Sequence, residues 1–209
     1  MLELAGCGLS SLTMQGLASF YHMEILDLQQ NGFYGSVPLF IGASSPKALY
    51  LNSNKFNGSL PIQGLCELKK LEELDLSYNH IEGILPPCLS NLTSLRLFDV
   101  SGNQFTGNHL SSLLGNLNSL EYIDLRHNCF EGLFSFSSFV NHSKLEVVAI
   151  TSDNDKFEVE TEYKDWLPMF YQAQVKFCYQ APSMAHARYG TLLLENFYKL
   201  ELFHYQLLQ

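Results

Sequence analysis

The chain has 209 residues and a formal net charge of −9, with 46% hydrophobic and 16% charged residues. This balance is typical of a folded chain with a substantial core and excludes a disordered one. The acidic excess argues against nucleic acid and anionic membranes as partners, because both need a basic surface. No apolar run approaches the roughly 18 residues of a membrane-spanning helix, and the first residues do not resemble a secretory signal.

A repeat of 23 to 25 residues organises most of the chain. Five asparagines mark it at spacings of 23, 25, 24 and 25 residues: Asn31, Asn54, Asn79, Asn103 and Asn128. Apolar residues lie five and three positions before each asparagine and two positions after it, and glycine lies four positions after it. Alternating apolar residues predict a short strand with one buried face, and successive copies predict parallel strands stacked in a solenoid.

The asparagine and the glycine have predictable roles in each coil. The asparagine follows the strand, where its amide can bond main-chain groups that would otherwise be buried without partners. The glycine allows a backbone conformation that a Cβ atom would resist. Leucines further along the coil, such as Leu89, Leu92 and Leu95, are predicted to fill the interior from the convex side on short helical turns.

Two degenerate coils flank the five clear ones. Residues 2–9 keep the apolar pattern with Cys7 in the asparagine position, and residues 145–153 keep it with Asp153 there. The glycine position after Asp153 holds Phe157, so the sequence predicts that the period breaks there. The predicted fold is an α/β solenoid, a leucine-rich-repeat horseshoe with parallel strands on the concave face, over residues 1–153.

Segments such as "LDLSYNHIEGILPPCLSNLTSLRLFDVSGNQFTG" resemble the extracellular repeats of plant leucine-rich-repeat receptor-like proteins. The elements "GSVP", "GSLP" and "GILP" are similar to the Gly-x-hydrophobic-Pro element of that group. The resemblance extends through "SKLEVVAI" and the acidic stretch "VETEYKDWLPMF", so residues 154–170 are interpreted as a segment of the same family. Residues 171–209 match neither pattern and are predicted to be an irregular or helical tail.

The resemblance implies an ectodomain fragment that perceives a peptide or protein ligand in defence or development and signals with a co-receptor kinase. The parent family lies at the plasma membrane with its repeats outside the cell. Two alternatives stay open: a secreted inhibitor-like repeat protein, and a truncated product without independent function. For the tail, a helix covering the open end of the solenoid competes with sequence that has no selected structure, and the second interpretation is favoured.

The concave face is the predicted ligand surface, because strand residues that point away from the core line it. Its aspartates and serines are ordinary for such repeats, so less stereotyped polar and aromatic side chains are the better candidates. The candidate ligand-contacting residues are Tyr50, Asn52, Tyr78, Tyr122, Arg126 and His127.

Three glycosylation sequons begin at Asn57, Asn91 and Asn141, and they are relevant if the chain is secreted. Asn91 and Asn141 each lie 12 residues before an asparagine-position residue, which predicts the same outer position on two coils. Cys66 and Cys88 are 22 residues apart on adjacent coils. They are either a disulfide between coils or two small buried residues.

The sequence gives no sign of catalysis. It holds no nucleophile elbow, P-loop, zinc-protease motif or kinase signature, and its seven histidines lack ligand spacing. We therefore expect a binding scaffold without a catalytic residue, cofactor or metal.

Overall fold

The computed structural model describes residues 1–10, 23–37, 46–160 and 176–180. Its main sheet has eight parallel strands in the order β1-β2-β4-β6-β8-β10-β12-β14. These strands are β1 (Leu2–Glu3), β2 (Ile25–Asp27), β4 (Ala48–Tyr50), β6 (Glu73–Asp75), β8 (Leu97–Asp99), β10 (Tyr122–Asp124), β12 (Val147–Thr151) and β14 (Lys176–Gln180). Each strand pairs with its equivalent in the next coil, which confirms the solenoid of parallel strands.

A second layer of short parallel strands, which we call the lateral sheet, follows the asparagine positions. It has a four-stranded part, β3-β5-β7-β9, and a two-stranded part, β11-β13. Its strands are β3 (Tyr34–Gly35), β5 (Lys55–Ser59), β7 (His80–Ile84), β9 (Gln104–Thr106), β11 (Gly132–Ser135) and β13 (Phe157–Glu160). The repeat glycines lie in this layer or directly after it, and all five have positive φ, between 69° and 104°.

The convex side carries short turns with helical character. They are Ile62–Leu65, whose two central residues are not helical, the 3₁₀ turns Pro87–Asn91 and Phe136–Phe139, and the α-helix Leu110–Leu114. Each turn leads into a buried residue: Leu68, Leu92, Leu117 and, in the last coil, His142. These turns agree with the predicted convex side.

The core runs the length of the solenoid between these layers. The two apolar residues that lie five and three positions before each repeat asparagine are at most 1% exposed, and so are their counterparts Val148 and Ile150 in β12. The apolar residue two positions after each asparagine forms a second buried column, in which Phe33 stacks on Phe56 and Phe105 on Phe130 at ring-centroid distances of 6.1 and 6.5 Å. Every coil therefore buries its apolar residues against its two neighbours, and no coil has a core of its own.

The asparagines clamp each coil to the preceding one. Asn103 accepts a hydrogen bond from the main-chain N–H of Ile81 at 3.0 Å and donates to the carbonyl of Leu76 at 2.9 Å, both one coil earlier. Asn54, Asn79 and Asn128 repeat these two bonds. Asn31 makes them with Leu9 and Leu4, which shows that residues 2–9 form a coil with Cys7 in the asparagine position.

The prediction that Asp153 occupies the asparagine position of its coil is wrong. Asp153 is exposed, and the buried Ser152 provides the side-chain bonds to the preceding coil, donating to the carbonyls of Phe130 at 2.6 Å and Asn128 at 3.3 Å. The physical reason is that a carboxylate has no N–H to donate, so it cannot bond the carbonyls that an asparagine amide bonds.

The predicted end of the solenoid at residue 153 also differs from the structure. Strand β13 pairs with β11 in register, with Phe157 opposite Gly132, so the lateral layer continues into the acidic segment. Strand β14 pairs with β12, with Phe177 opposite Val148, inside the range predicted to be an irregular or helical tail. This last step spans 29 residues instead of 25, and no asparagine marks it, which hid it from the repeat pattern. The other residues of the predicted tail lie outside the described part of the chain.

Candidate ligand-binding surface

Three rows of side chains point away from the core on the main sheet, and together we call them the concave face. The first row is Ile25, Ala48, Glu73, Leu97, Tyr122 and Val147. The second row is Asp27, Tyr50, Asp75, Asp99, Asp124 and Ala149. The third row is Gln29, Asn52, Ser77, Ser101, Arg126 and Thr151. The predicted concave positions include the second and third rows from β2 to β10. The first row, apart from Tyr122, was not predicted, although it lies one alternation step earlier along each strand.

The second-row aspartates close the ends of their strands. In each, Oδ1 accepts a hydrogen bond from the main-chain N–H two residues later, as Asp75 does from Ser77 at 2.9 Å and Asp99 from Ser101 at 2.9 Å. The serine hydroxyls donate to the same oxygens at 2.7 Å. The aspartates thus have a structural role at the strand end.

These carboxylates crowd one another. Partial burial raises the pKa of Asp99 to about 6, with the charges of Asp124 and Asp75 adding to the effect and the bonds from Ser101 opposing it. Burial raises the pKa of Asp75 for the same reasons. A positive charge brought near either carboxylate would favour its ionised form.

Arg126 compensates the negative charge at one end of this column. Its Nη2 lies 2.6 Å from Oδ2 of Asp124, whose side chain is 2% exposed, and its Nε also donates to this carboxylate. No ion pair to Asp75 or Asp99 is found within the described residues. The face is consequently acidic over β6 and β8, charge-paired on β10, and uncharged on β12, where Val147, Ala149 and Thr151 hold the three rows.

The two tyrosines of the face are held by carboxylates. The hydroxyl of Tyr50 donates to Glu73 on the next strand, and burial together with that bond raises its pKa. The hydroxyl of Tyr122 lies 3.4 Å from Asp124, and burial raises its pKa to about 12. Both hydroxyls therefore stay protonated. Beside Tyr50, Asn52 donates weakly to Gln29 at 3.4 Å, and its buried Oδ1 has no partner within the described residues.

Tyr78 and His127 lie at the rim of the face, one position before the repeat asparagines. Their φ angles, 53° and 54°, are in the left-handed region, which turns them away from the strand direction. The ring of Tyr78 lies beside Gly102, where an added Cβ would be 3.0 Å from the ring, and Tyr78 is 63% exposed. Of the six predicted ligand-contacting residues, four lie on the concave face and these two border it.

The remaining predicted positions are elsewhere. Cys66 and Cys88 are joined by a disulfide with a Cα–Cα distance of 5.6 Å, which links two coils on the convex side. Asn91 and Asn141 are exposed at the ends of convex turns, and Asn57 is exposed in β5 of the lateral sheet. Within residues 1–10, 23–37, 46–160 and 176–180, no helix is long and apolar enough to cross a bilayer, and no His, Cys, Asp and Glu side chains group in a way that could hold a metal ion.

The chain is a leucine-rich-repeat protein, because its parallel strands stack coil on coil, five asparagines clamp the coils together, and the concave face is open and polar. Residues 44–105 match the family model described as Leucine rich repeat. Within that class, the repeats of this chain are similar to those of plant receptor-like proteins. Cuscuta receptor 1 of Solanum lycopersicum is 40% identical over 160 residues, which are 72% of this chain and 14% of that protein. Receptor-like protein 1 of Arabidopsis thaliana is 40% identical over 116 residues, 56% of this chain and 10% of that protein.

A solved structure extends the likeness to the fold. The ectodomain of the Arabidopsis thaliana membrane receptor kinase GASSHO1/SCHENGEN3, crystallised with CASPARIAN STRIP INTEGRITY FACTOR 2, superposes with a TM-score of 0.60 at 27% identity. The match covers 71% of this chain and 17% of that one. The chain thus corresponds to a small part of the length of these three proteins.

Proposed function

We propose that this chain is a ligand-recognition segment of a plant receptor-like ectodomain and that its concave face binds an extended peptide or protein segment bearing a positive charge. The observation that supports this most directly is the charge layout of the face. Glu73, Asp75 and Asp99 are adjacent on β6 and β8, and the cation in the third row of the face, Arg126, is engaged with Asp124.

The ligand would cross the coils from the acidic strands towards the apolar end of the face. A lysine or arginine side chain placed over Asp75 and Asp99 would stabilise the ionised form of both carboxylates, which burial and neighbouring carboxylates disfavour. Beyond it, Leu97 and Val147 offer apolar contacts beside the ring of Tyr122. Tyrosines at such a surface contribute large contact areas at low cost in conformational entropy.

The raised pKa of Asp99 gives this binding a pH dependence. A cationic ligand favours the charged carboxylate, so binding releases a proton where Asp99 is partly protonated in the free chain. Affinity is therefore expected to fall as pH drops through about 6.

An oxidising, extracellular setting and a co-receptor kinase complete the proposal. The Cys66–Cys88 disulfide supports the setting, because such bridges persist outside the cytosol. Because this chain is proposed to bind a ligand and not to catalyse a reaction, signalling would require a partner protein that has a kinase. The complex of the similar GASSHO1/SCHENGEN3 ectodomain with CASPARIAN STRIP INTEGRITY FACTOR 2 supports ligand binding by repeats of this fold.

A random-peptide display library panned against the full oxidised chain tests the proposal. We expect enriched peptides to carry lysine or arginine and their synthetic copies to bind more weakly to the Tyr78→Asn variant, since asparagine tolerates the left-handed backbone there. The matched control is Tyr34→Asn, which removes a similarly exposed tyrosine from β3 of the lateral sheet. Peptides without basic residues, or peptides more sensitive to the control than to Tyr78→Asn, would refute the proposal.

A further inference from the structure

We infer that a cleft at the edge of the concave face, where β8, β10 and β12 begin, holds one aromatic side chain of the bound ligand. The cleft has a volume of about 180 Å³. The inference rests on the proposed function and deepens it, because it names the class of side chain that this part of the face accepts. The cleft is lined by the first residue of each of these strands and by the charged residue before it: Leu97, Tyr122 and Val147, and Arg96, Glu121 and Glu146.

The cleft arises from the way in which each coil enters its strand. The N–H groups of Arg96 and Leu97 both bond to the carbonyl of Glu72, at 2.7 and 3.1 Å, and the next two coils share the carbonyls of Arg96 and Glu121 in the same way. In a regular strand, consecutive side chains point to opposite faces. Here Arg96 is exposed and Leu97 is half-buried, and only Phe98 enters the core. Two consecutive side chains of each coil therefore border the concave side.

The size and the apolar floor of the cleft fit a single ring. An apolar cavity of about 150 Å³ can hold benzene, whereas pockets for small-molecule ligands measure about 300–1,000 Å³. Leu97, Tyr122 and Val147 are half-buried and adjacent in register, so they form a continuous floor. The Tyr122 hydroxyl lies 3.4 Å from Asp124, which helps to hold the ring in place. An incoming aromatic ring can pack against that ring in an offset or edge-on arrangement.

Arg96 makes an aromatic occupant more favourable than an aliphatic one. Its Nε and Nη2 donate to the two carboxylate oxygens of Glu121 at 2.9 and 2.8 Å, and this paired geometry fixes the guanidinium. The hydrogen bond from Arg96 lowers the pKa of Glu121, so the pair stays charged in mild acid. These bonds lie in the plane of the guanidinium, whereas a stacked ring contacts its face. The ring therefore does not displace the ion pair.

The charges around the cleft disfavour the other classes of side chain. Glu73 and Glu146 also line it, and neither forms an ion pair within the described part of the chain. These carboxylates would repel an acidic side chain. A basic side chain would place its charge beside Arg96, whereas Asp75 and Asp99 offer it a site without a neighbouring ion pair.

The basic and the aromatic residue of the ligand should lie close together in its sequence. From Asp99 on β8, the floor residue Tyr122 is one strand across and two residues back along the strand. This separation is roughly 8 Å, which about two or three residues of an extended peptide span. A short segment can therefore occupy both places.

The test titrates the full oxidised chain with p-cresol, which is the side chain of tyrosine, and with 4-methylcyclohexanol, which has a similar shape without an aromatic ring. Binding is located by the shifts of the Leu97 and Val147 methyl signals in carbon–proton NMR spectra. We expect p-cresol to shift both and to bind about threefold more tightly than 4-methylcyclohexanol. Arg96→Gln should abolish this preference. The matched control, Lys47→Gln, should keep it, because Lys47 holds the same repeat position two coils earlier and pairs with Glu24 at 3.3 Å, outside the cleft.

Three results would overturn the inference: cleft methyl signals that p-cresol does not move, equal affinities for the two probes in the parent chain, or tighter binding of n-butylammonium, which would assign the cleft to a basic side chain. A preference that survives Arg96→Gln would contradict the role of Arg96. These probes need no selected peptide, so their result is independent of the display experiment. If p-cresol binds and no basic peptide is enriched, the proposed function fails and the aromatic cleft stands.

Discussion

Replacing Asn103 by alanine tests whether the asparagines hold the coils together. The side chain of Asn103 makes four hydrogen bonds to main-chain groups in its own and the preceding coil. The amide is only 7% exposed, so water cannot easily replace these partners. The cost depends on which of the partners keep another bond.

The three carbonyls that Asn103 bonds all keep a donor. The carbonyl of Leu76 still accepts from Asn79, that of Val100 from Asn128, and that of Ser101 from the N–H of Tyr78. The N–H of Ile81, in contrast, loses the acceptor that Asn103 provides at 3.0 Å. An orphaned buried donor costs about 1–3 kcal/mol. With the weakened carbonyl bonds and the small cavity, we expect Asn103→Ala to lower the free energy of unfolding by about 2–4 kcal/mol.

Urea unfolding followed by circular dichroism at pH 7 measures this loss, with the disulfide intact. The matched control is Asn116→Ala, which removes an exposed amide from the convex side and should change the free energy of unfolding by less than about 0.5 kcal/mol. Asn103→Asp should cost at least as much as alanine, because its second oxygen would face the carbonyls without a proton to donate. If Asn103→Ala unfolds within about 0.5 kcal/mol of the control, the clamp does not stabilise the stacking as reasoned.

Three further predictions concern stability. Burial lowers the pKa of His142, so the unfolded chain binds more protons than the folded chain below about pH 6.5, and the free energy of unfolding falls on acidification. His142→Leu should flatten this pH dependence between pH 7 and 5. An unchanged pH profile of stability would contradict this prediction. The raised pKa of Asp99 has the opposite sign, because the folded chain binds more protons between about pH 4 and its folded value of about 6. Asp99→Asn should therefore remove a loss of stability that the parent chain shows as pH rises through that window, and equal slopes would count against it. Loss of the Cys66–Cys88 disulfide, whose cysteines are 22 residues apart, should lower the free energy of unfolding by about 3 kcal/mol. The variant with both cysteines replaced by alanine should show this loss in urea unfolding. Reductant should not change its stability, whereas it should lower that of the parent chain.

The repeat made the fold predictable over most of the described chain. The fixed spacing of apolar residues, asparagine and glycine predicted where the strands lie, which asparagines clamp the coils and where φ is positive. The same local pattern recurs in successive coils. The lateral sheet was not predicted because its strands lack the apolar alternation of the main sheet. Strand β14 was missed because the step before it is longer and has no asparagine.

The site was less predictable than the fold. Ser152 takes the place expected for Asp153, because its hydroxyl can donate a hydrogen bond and a carboxylate cannot. The backbone pairs Asn128 with Ser152, one residue earlier than the repeat spacing predicts, and the sequence does not show this shift. His142 occupies a position held by leucine in neighbouring coils, and its Nε2 must donate to the carbonyl of Leu114, which leaves the buried Nδ1 without a partner within the described residues. Such arrangements depend on contacts between coils, which a single repeat does not encode.

The most direct test of the recognition proposal compares two charge reversals of equal size. Glu73→Arg places a cation on the concave face beside Tyr50, and Glu67→Arg places one at an exposed position on the convex side. Both change the net charge equally, so long-range steering of a basic peptide is matched. We predict that a peptide selected on the parent chain loses at least tenfold in affinity with Glu73→Arg and less than twofold with Glu67→Arg, measured by titration calorimetry on chains of equal stability. Equal losses in both variants, or a larger loss with Glu67→Arg, would contradict recognition by the concave face.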